Sequence, residues 1–457
     1  MPDSSASAGD PTAPTVLAAD QRRVNHLRLA VVIGVLAFFF LVVPGLALGG
    51  AIDASSLNRL GRYLAFALVA VGIDLVWGYT GMLSLCQALF FCLGGYCMGM
   101  HLCLAEGGGD VRQEFHNIPA FFYFNDVTTL PLFWEPFRSR TFAIVAGLVL
   151  PAAFAGLFGF FIFRSRVKGV YFSIITQALA WAALLAFNNQ KLLLGGTNGM
   201  TNFYKPLNST FPWILGLYLA TATVLLLAYL GARHLVHSRA GRVLVAIRDN
   251  ESRLRFSGFQ PVHYKVFVFA VGALLAAIGG MLYAPQTGVI GPSDMNIEVH
   301  IMMVIWVAVG GRGRLWGAVL GALLVNYAYS CLTSDLPSAW PFLQGTLFLL
   351  VVLLFPDGCV KLWDRFEERF RSRERALLAL LPLALVVVFL FAEGLGLTRL
   401  WGGFHALWNL HVPLGVAVPL KYLLLAAAVA GVVTLDWWLG RTRVPAAAPV
   451  AKLETAS

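Results

Sequence analysis

The 457-residue chain is divided into a succession of apolar runs, most of them close to the roughly 20 residues a helix needs to cross a bilayer. The runs fall near 29–48, 60–77, 86–104, 141–163, 169–187, 212–230, 262–283, 299–309, 315–332, 340–356, 377–396 and 419–439. In lipid, backbone N–H and C=O groups find no water, so spanning runs of this length fold as helices. The expected fold class is all-α: a polytopic transmembrane helical bundle with about 10 core spans plus a C-terminal hairpin. The run 299–309 is too short to cross alone and ends in Gly310-Gly311-Arg312-Gly313-Arg314. A broken or re-entrant segment is expected there, buried in protein or lining a cavity. Tyr79-Thr80-Gly81 interrupts the pattern in a similar way between the second and third runs.

Composition agrees. Hydrophobic residues make up 58% of the chain and charged residues 12%, about half the charge of an ordinary globular domain. The net charge of +10 would suit nucleic acid if it were spread over a soluble surface, but the basic residues are clustered. Arg22, Arg23 and Arg28, the group from Arg233 to Lys265, the stretch Lys361 to Arg375, and Arg441 with Arg443 all fall on one side if the spans alternate. That asymmetry marks the cytoplasmic face and puts the N-terminus inside. It leaves no base-reading surface, so no nucleic-acid partner is expected. Four of the six cysteines, Cys86, Cys92, Cys97 and Cys103, lie in or beside one apolar run at spacings that fit no metal motif, and read as small buried hydrophobes. The expected organisation is a disordered cytosolic tail (1–27), a transmembrane domain (28–362), a cytosolic amphipathic linker (363–376), an additional transmembrane hairpin (377–440) and a second cytosolic tail (441–457).

Between the runs 212–230 and 262–283 lies a polar, Arg-rich, helix-compatible insert, Gly241 to Pro261. On a helix, Val243, Ile247 and, less regularly, Leu254 can line one face, with Arg242, Asp249, Asn250, Glu251 and Arg253 on the other. Such an insert is either a solvated connector or a docking helix for a cytosolic partner. No GxxxxGK[ST] phosphate loop, HExxH or GxSxG occurs, so neither Walker-type nucleotide binding nor a familiar hydrolase site is expected, and the chain does not read as an enzyme. Asp74 stands inside the second run, with Glu298 and His300 at the mouth of the eighth. Asp74 is either functional or paired structurally with a polar neighbour.

Five segments carry a family likeness: GYTGMLSL (78–85), SRVKGVYFSIITQAL (165–179), GGTNGMTNF (195–203), GRVLVAIRDNESRLRFSGF (241–259) and VIWVAVGGRGRLWGAVLGALLVN (304–326). In these the chain resembles the inner-membrane permeases of branched-chain amino-acid-type ABC importers. Within them it is most similar to the urea-transporter permeases of a second, longer type. The resemblance implies a bacterial inner-membrane subunit that pairs with a second, homologous permease. It implies two cytosolic ATPase subunits below, which bind ATP-Mg while this chain binds no cofactor itself. A periplasmic substrate-binding protein would deliver solute from above, and membrane lipid would surround the bundle.

The resemblance further implies that Ala246, Ile247, Arg248, Asp249, Asn250 and Glu251 form the coupling helix that sits in a groove of the ATPase. Arg248 and Asp249 would make polar contacts there and Ile247 an apolar one. For a neutral solute such as urea, the path needs donors and acceptors without fixed charge. Tyr79, Thr80, Ser84, Gln87, Thr197 and Asn198 are chemically suited to that role. The chain departs from the family at Cys86-Gln87, where relatives carry Gly-His, and at Leu89, which replaces a small residue. The alternatives are a permease for branched-chain amino acids or short amides and, from another class, a stand-alone channel or ion-coupled carrier.

Overall fold

A computed structural model describes residues 37–104, 119, 122, 130–167, 169–189, 194–201, 211–335, 342, 345, 346, 411–413 and 417–419. The expected tails, the linker 363–376 and the runs at 340–356, 377–396 and 419–439 lie outside the described residues, apart from positions 342, 345, 346 and 419. Residues up to Asp53 and residues from Ala54 onward form two compact units. The first contains a short apolar helix, Phe38–Leu48, with Pro44 in the first turn of its α-helical part, where a missing N–H costs nothing.

The second unit is helical almost throughout its described length. Its helices are α1 (Ala54–Thr80), α2 (Gln87–Leu104), α3 (Arg140–Arg164), α4 (Val170–Phe187) and α5 (Phe211–His237). They continue with α6 (Arg239–Phe256), α7 (Pro261–Thr287), α8 (Ile297–Gly310) and α9 (Leu315–Asp335). Among the described residues, strands occur only as a small antiparallel ribbon, His411–Pro413 with Ala417–Pro419. Seven helices, all but α6 and α8, are long and apolar enough to cross a membrane. The 14 residues of α8 extend only about 21 Å, against roughly 30 Å of hydrocarbon.

Burial separates a central group from a peripheral one. The most apolar windows of α1 and α2 are 78% and 83% buried inside the chain, while those of α3, α4 and α5 are 22–28% buried. The peripheral helices keep Leu157, Phe161, Ile174 and Leu227 on their outer faces. In water such a surface would be a liability; against hydrocarbon it is neutral. The central helices approach closely because their contact points are glycine. A methyl group at Gly94 of α2 would overlap the backbone of Ala277 on α7, and one at Gly280 of α7 would overlap that of Phe91. Around this crossing, Phe269 of α7 is fully buried and meets Phe90, Phe158, Phe163 and Phe172 at centroid distances of 5.7–6.4 Å. These tilted and edge-on rings tie α2, α3, α4 and α7 together. A second close pair is α8 with α9, where Gly310 lies on the backbone of Gly317 and Gly321 on that of Trp306.

Candidate functional site

α6 is the polar insert of the sequence, and its start is set by two local devices. The Ser238 hydroxyl accepts a hydrogen bond from the Gly241 N–H, an N-cap. Gly241 itself abuts the carbonyls of Leu235 and Val236, so the chain turns from α5 into α6 where a side chain would not fit. The helix is not continuous. Asn250 leaves helical geometry (φ −161°, ψ 93°), and its side-chain oxygen accepts from the Arg253 N–H. Asparagine thus ends one short helix and caps the next.

The inward face of α6 keeps Ile247 buried and Leu254 half-buried but includes a residue expected on the polar side. Gly241, Leu244 and Ile247 are buried and Val243 is half-buried. The next position along that face is Glu251, not an apolar residue. Glu251 turns inward because α7 supplies Lys265, which is itself buried. The Lys265 ammonium meets Glu251 Oε2 at 2.8 Å and Arg255 meets Oε1 at 2.6 Å. Burial raises the Glu251 carboxyl, but the hydrogen bonds and charges of Lys265 and Arg255 outweigh it, and the group is held below its ordinary range. Asp249 and Asn250 point outward, and Ala246 is half-buried.

Arg248 leans toward α1. Its Nη1 donates to the Gly78 carbonyl at 3.0 Å, and its Nε meets the exposed Asp249 carboxylate at 3.2 Å. Gly78 is also the point where the turn after α8 arrives. The Gly313 N–H donates to Asp74 Oδ1 at 2.7 Å, one helical turn before Gly78. An added methyl at Gly78 would overlap both the Asp74 carboxylate and the Gly313 backbone. Gly313 takes a positive φ of 79°, which a glycine adopts without strain. The Arg312 guanidinium lies 5.6 Å above the Trp77 ring. Asp74, Gly78, Arg248 and Gly313 therefore form one knot built from three segments distant in sequence.

Beside the knot, α1 ends at Thr80 and α2 starts at Gln87. The non-helical stretch between them is held by α4. Ser173 donates to the Leu83 carbonyl at 2.8 Å, and the Leu85 N–H donates to Thr176 Oγ1 at 3.0 Å. Thr80 donates to the Val76 carbonyl, and Ser84 Oγ lies 3.3 Å from Cys86 Sγ. Gln87 is buried, and neither of its amide atoms has a hydrogen-bond partner. It faces the close approach of α1 and α7 at Gly72 and Gly272. Tyr79 is half-buried. A cleft of about 100 Å³ opens here, lined by Thr80, Gly81, Met82, Phe172, Ile247, Glu251 and Lys265 among others.

The structure divides the six expected path residues into two groups. Tyr79, Thr80, Ser84 and Gln87 gather at the α6 end of the bundle. Thr197 and Asn198 are exposed in a 3-10 turn, Gly196–Asn198, whose Gly196 is buried; a bridge follows in which Met200 and Ile290 exchange backbone hydrogen bonds of 2.8 and 3.0 Å. Gly95, two turns along α2 from Gln87, packs against the Ile290 side chain, so about 12 Å of α2 separates Gln87 from the level of the second group. The sequence reading gave no individual role to Ser173 or Thr176, and placed Gly313 only in an expected break and Lys265 only in a basic cluster. The one available signal was a pair of hydroxyls at i and i+3 in an apolar run, Ser173 and Thr176.

The family model described as branched-chain amino acid transport system / permease component matches residues 55–353. Among curated proteins, the high-affinity branched-chain amino acid transport system permease protein LivM of Salmonella typhimurium is 23% identical over 340 residues, covering 69% of this chain and 71% of the relative. The probable branched-chain amino acid transport permease protein LivM of Methanocaldococcus jannaschii is 24% identical over 330 residues, 65% of this chain and 90% of the relative. The ribose import permease protein RbsC of Haemophilus influenzae is 21% identical over 220 residues, 45% of this chain and 65% of the relative. No solved structure matches.

Proposed function

We propose, from the premise that this chain belongs to the branched-chain amino acid transport system permease component family, that it is the subunit that forms the path for urea in an ATP-driven importer. Its coarser role, a multi-pass permease component of an ABC importer, follows from that membership. In the proposed assembly it pairs with a second homologous permease, two cytosolic ATPases that hold ATP-Mg, and a periplasmic binding protein. The α6 end faces the cytosol, as the clustering of Arg and Lys there supports.

The observation that carries the coupling role is the placement of α6. Its outer surface offers Asp249 and Asn250, with Ala246 half-buried beside them, to a partner. Its inner surface is tied to the spanning helices through Ile247, Arg248 and Glu251. A helix held in this way passes a push from an ATPase groove into α1 and α7 instead of yielding to it.

For urea, support comes from the neutral hydrogen-bonding set Tyr79, Thr80, Ser84 and Gln87 at one end of the path and Thr197 and Asn198 at the other. The unpartnered carboxamide of Gln87 matches a solute that both donates and accepts. The relatives favour a second reading, a branched-chain amino acid as cargo.

Labelled-urea uptake into proteoliposomes holding this chain with its companion permease, ATPases and binding protein separates the readings. Uptake that needs internal ATP and is untouched by leucine is the expected result. Competition by leucine selects the amino-acid reading, and uptake without ATP selects a channel or carrier.

A further inference from the structure

Asp74 is an acidic residue with no exposed surface inside a spanning helix. Such a group is costly to bury, and an apolar residue would pack there at lower cost. What the carboxylate adds is a bond between segments that would otherwise only touch. Oδ1 accepts from Gly313, in the turn that follows α8. Oδ2 has no hydrogen-bond partner, and Arg312 of the same turn is within electrostatic range.

The two bodies on either side of this bond are closely packed. α8 and α9 are locked by the backbone contacts at Gly310 and Gly321, so the turn between them moves with both. On the other side, α1 runs unbroken from Asp74 to Gly78, and the Gly78 carbonyl is held by Arg248 of α6. One turn of α1 therefore carries α6 on one residue and the α8–α9 turn on another, about 6 Å apart along the axis. At Gly78 there is no room for slack between them.

We propose that Asp74 is a positioning residue that ties the Gly310–Arg314 turn to α6 through this single turn of α1, so that displacement of α6 is passed to the α8–α9 pair. The inference rests on the coupling role proposed above for α6. It assigns a function to a residue outside both the coupling helix and the candidate path.

The test compares uptake per ATP hydrolysed in the complete reconstituted importer. Asp74→Ala and Asp74→Leu remove the acceptor, the second with side-chain volume retained. Asp74→Asn keeps an acceptor oxygen. The expected result is a drop of about tenfold in uptake per ATP for the first two, with ATPase subunits still co-purifying, and recovery to at least half for Asp74→Asn. Unchanged coupling in Asp74→Ala or Asp74→Leu overturns the proposal. So does failure of both to assemble, which assigns Asp74 to folding, and so does an Asp74→Asn variant as poor as Asp74→Ala. If the unmutated complex shows no ATP-dependent uptake, the coupling reading itself has failed, a result independent of the comparison among variants.

Discussion

The Lys265 ammonium of α7 lies 2.8 Å from Glu251 of α6, with both side chains at least seven-eighths buried. The pair fixes the second half of a helix whose composition alone would leave it in solvent. Lys265 also lies 5.8 Å from the centre of the Phe163 ring, so the contact joins α3, α6 and α7. Removing one partner of a buried pair leaves an uncompensated charge, typically at a cost of 3–5 kcal/mol. Lys265→Ala leaves Glu251 with Arg255 on Oε1 and is expected to loosen residues 251–256, read as a lower melting temperature in detergent and faster amide exchange there. Glu251→Gln, which takes the carboxylate away from the buried Lys265 ammonium, is expected to cost more, about 3 kcal/mol.

The same pair sets a pH response. The Glu251 carboxyl is held below its ordinary value, so the folded state favours its charged form. The stabilisation is fully present above the unfolded carboxyl range, near pH 4.3, and is lost as pH falls through the lower folded value. A spin label at the exposed Ser252 should therefore report an unchanged α6 from pH 7 to pH 5 and rising mobility below about pH 4. Glu251→Gln should flatten that profile. Rising mobility already at pH 6 would point to a group other than Glu251.

Gly78→Ala is expected to be more damaging than an ordinary glycine-to-alanine change in a helix, which usually stabilises. The added methyl meets the Asp74 carboxylate and the Gly313 backbone, and backbone cannot rotate away. Overpacking of this kind costs about 1–3 kcal/mol. The measurement is thermal stability of the purified chain beside Gly216→Ala, a site where nothing lies near the added atom.

Gln87→Met tests whether the buried amide serves the path. Unpartnered polar atoms in an apolar setting lower stability, so an isosteric apolar replacement should leave the melting temperature equal or higher. Urea uptake should nonetheless fall by about tenfold, the loss of one good hydrogen bond to solute. A stabilised variant with unchanged uptake would remove Gln87 from the path.

The local features of this protein were legible in the sequence because hydropathy is a local property. Runs of about 20 apolar residues can satisfy their backbone in lipid only as helices, and the observed helices α1–α5, α7 and α9 cover seven of the expected runs. The shortness of α8 and the break after Thr80 were visible for the same reason. The polar segment between α5 and α7 also stood out, although the direction it faces did not. The side of α6 that carries Glu251 reads as solvated until α7 brings Lys265 to it.

Only the tertiary structure decided which distant residues meet. Arg248 and Gly78 are 170 positions apart and Asp74 and Gly313 are 239. In each pair one partner is a backbone group, which carries no residue-type signal in the sequence. Only packing decides which carbonyl or N–H a buried side chain must satisfy. The six candidate path residues show the converse. Their chemistry was readable one at a time, but they fall in two groups, one around the break between α1 and α2 and one in the turn before the Met200–Ile290 bridge.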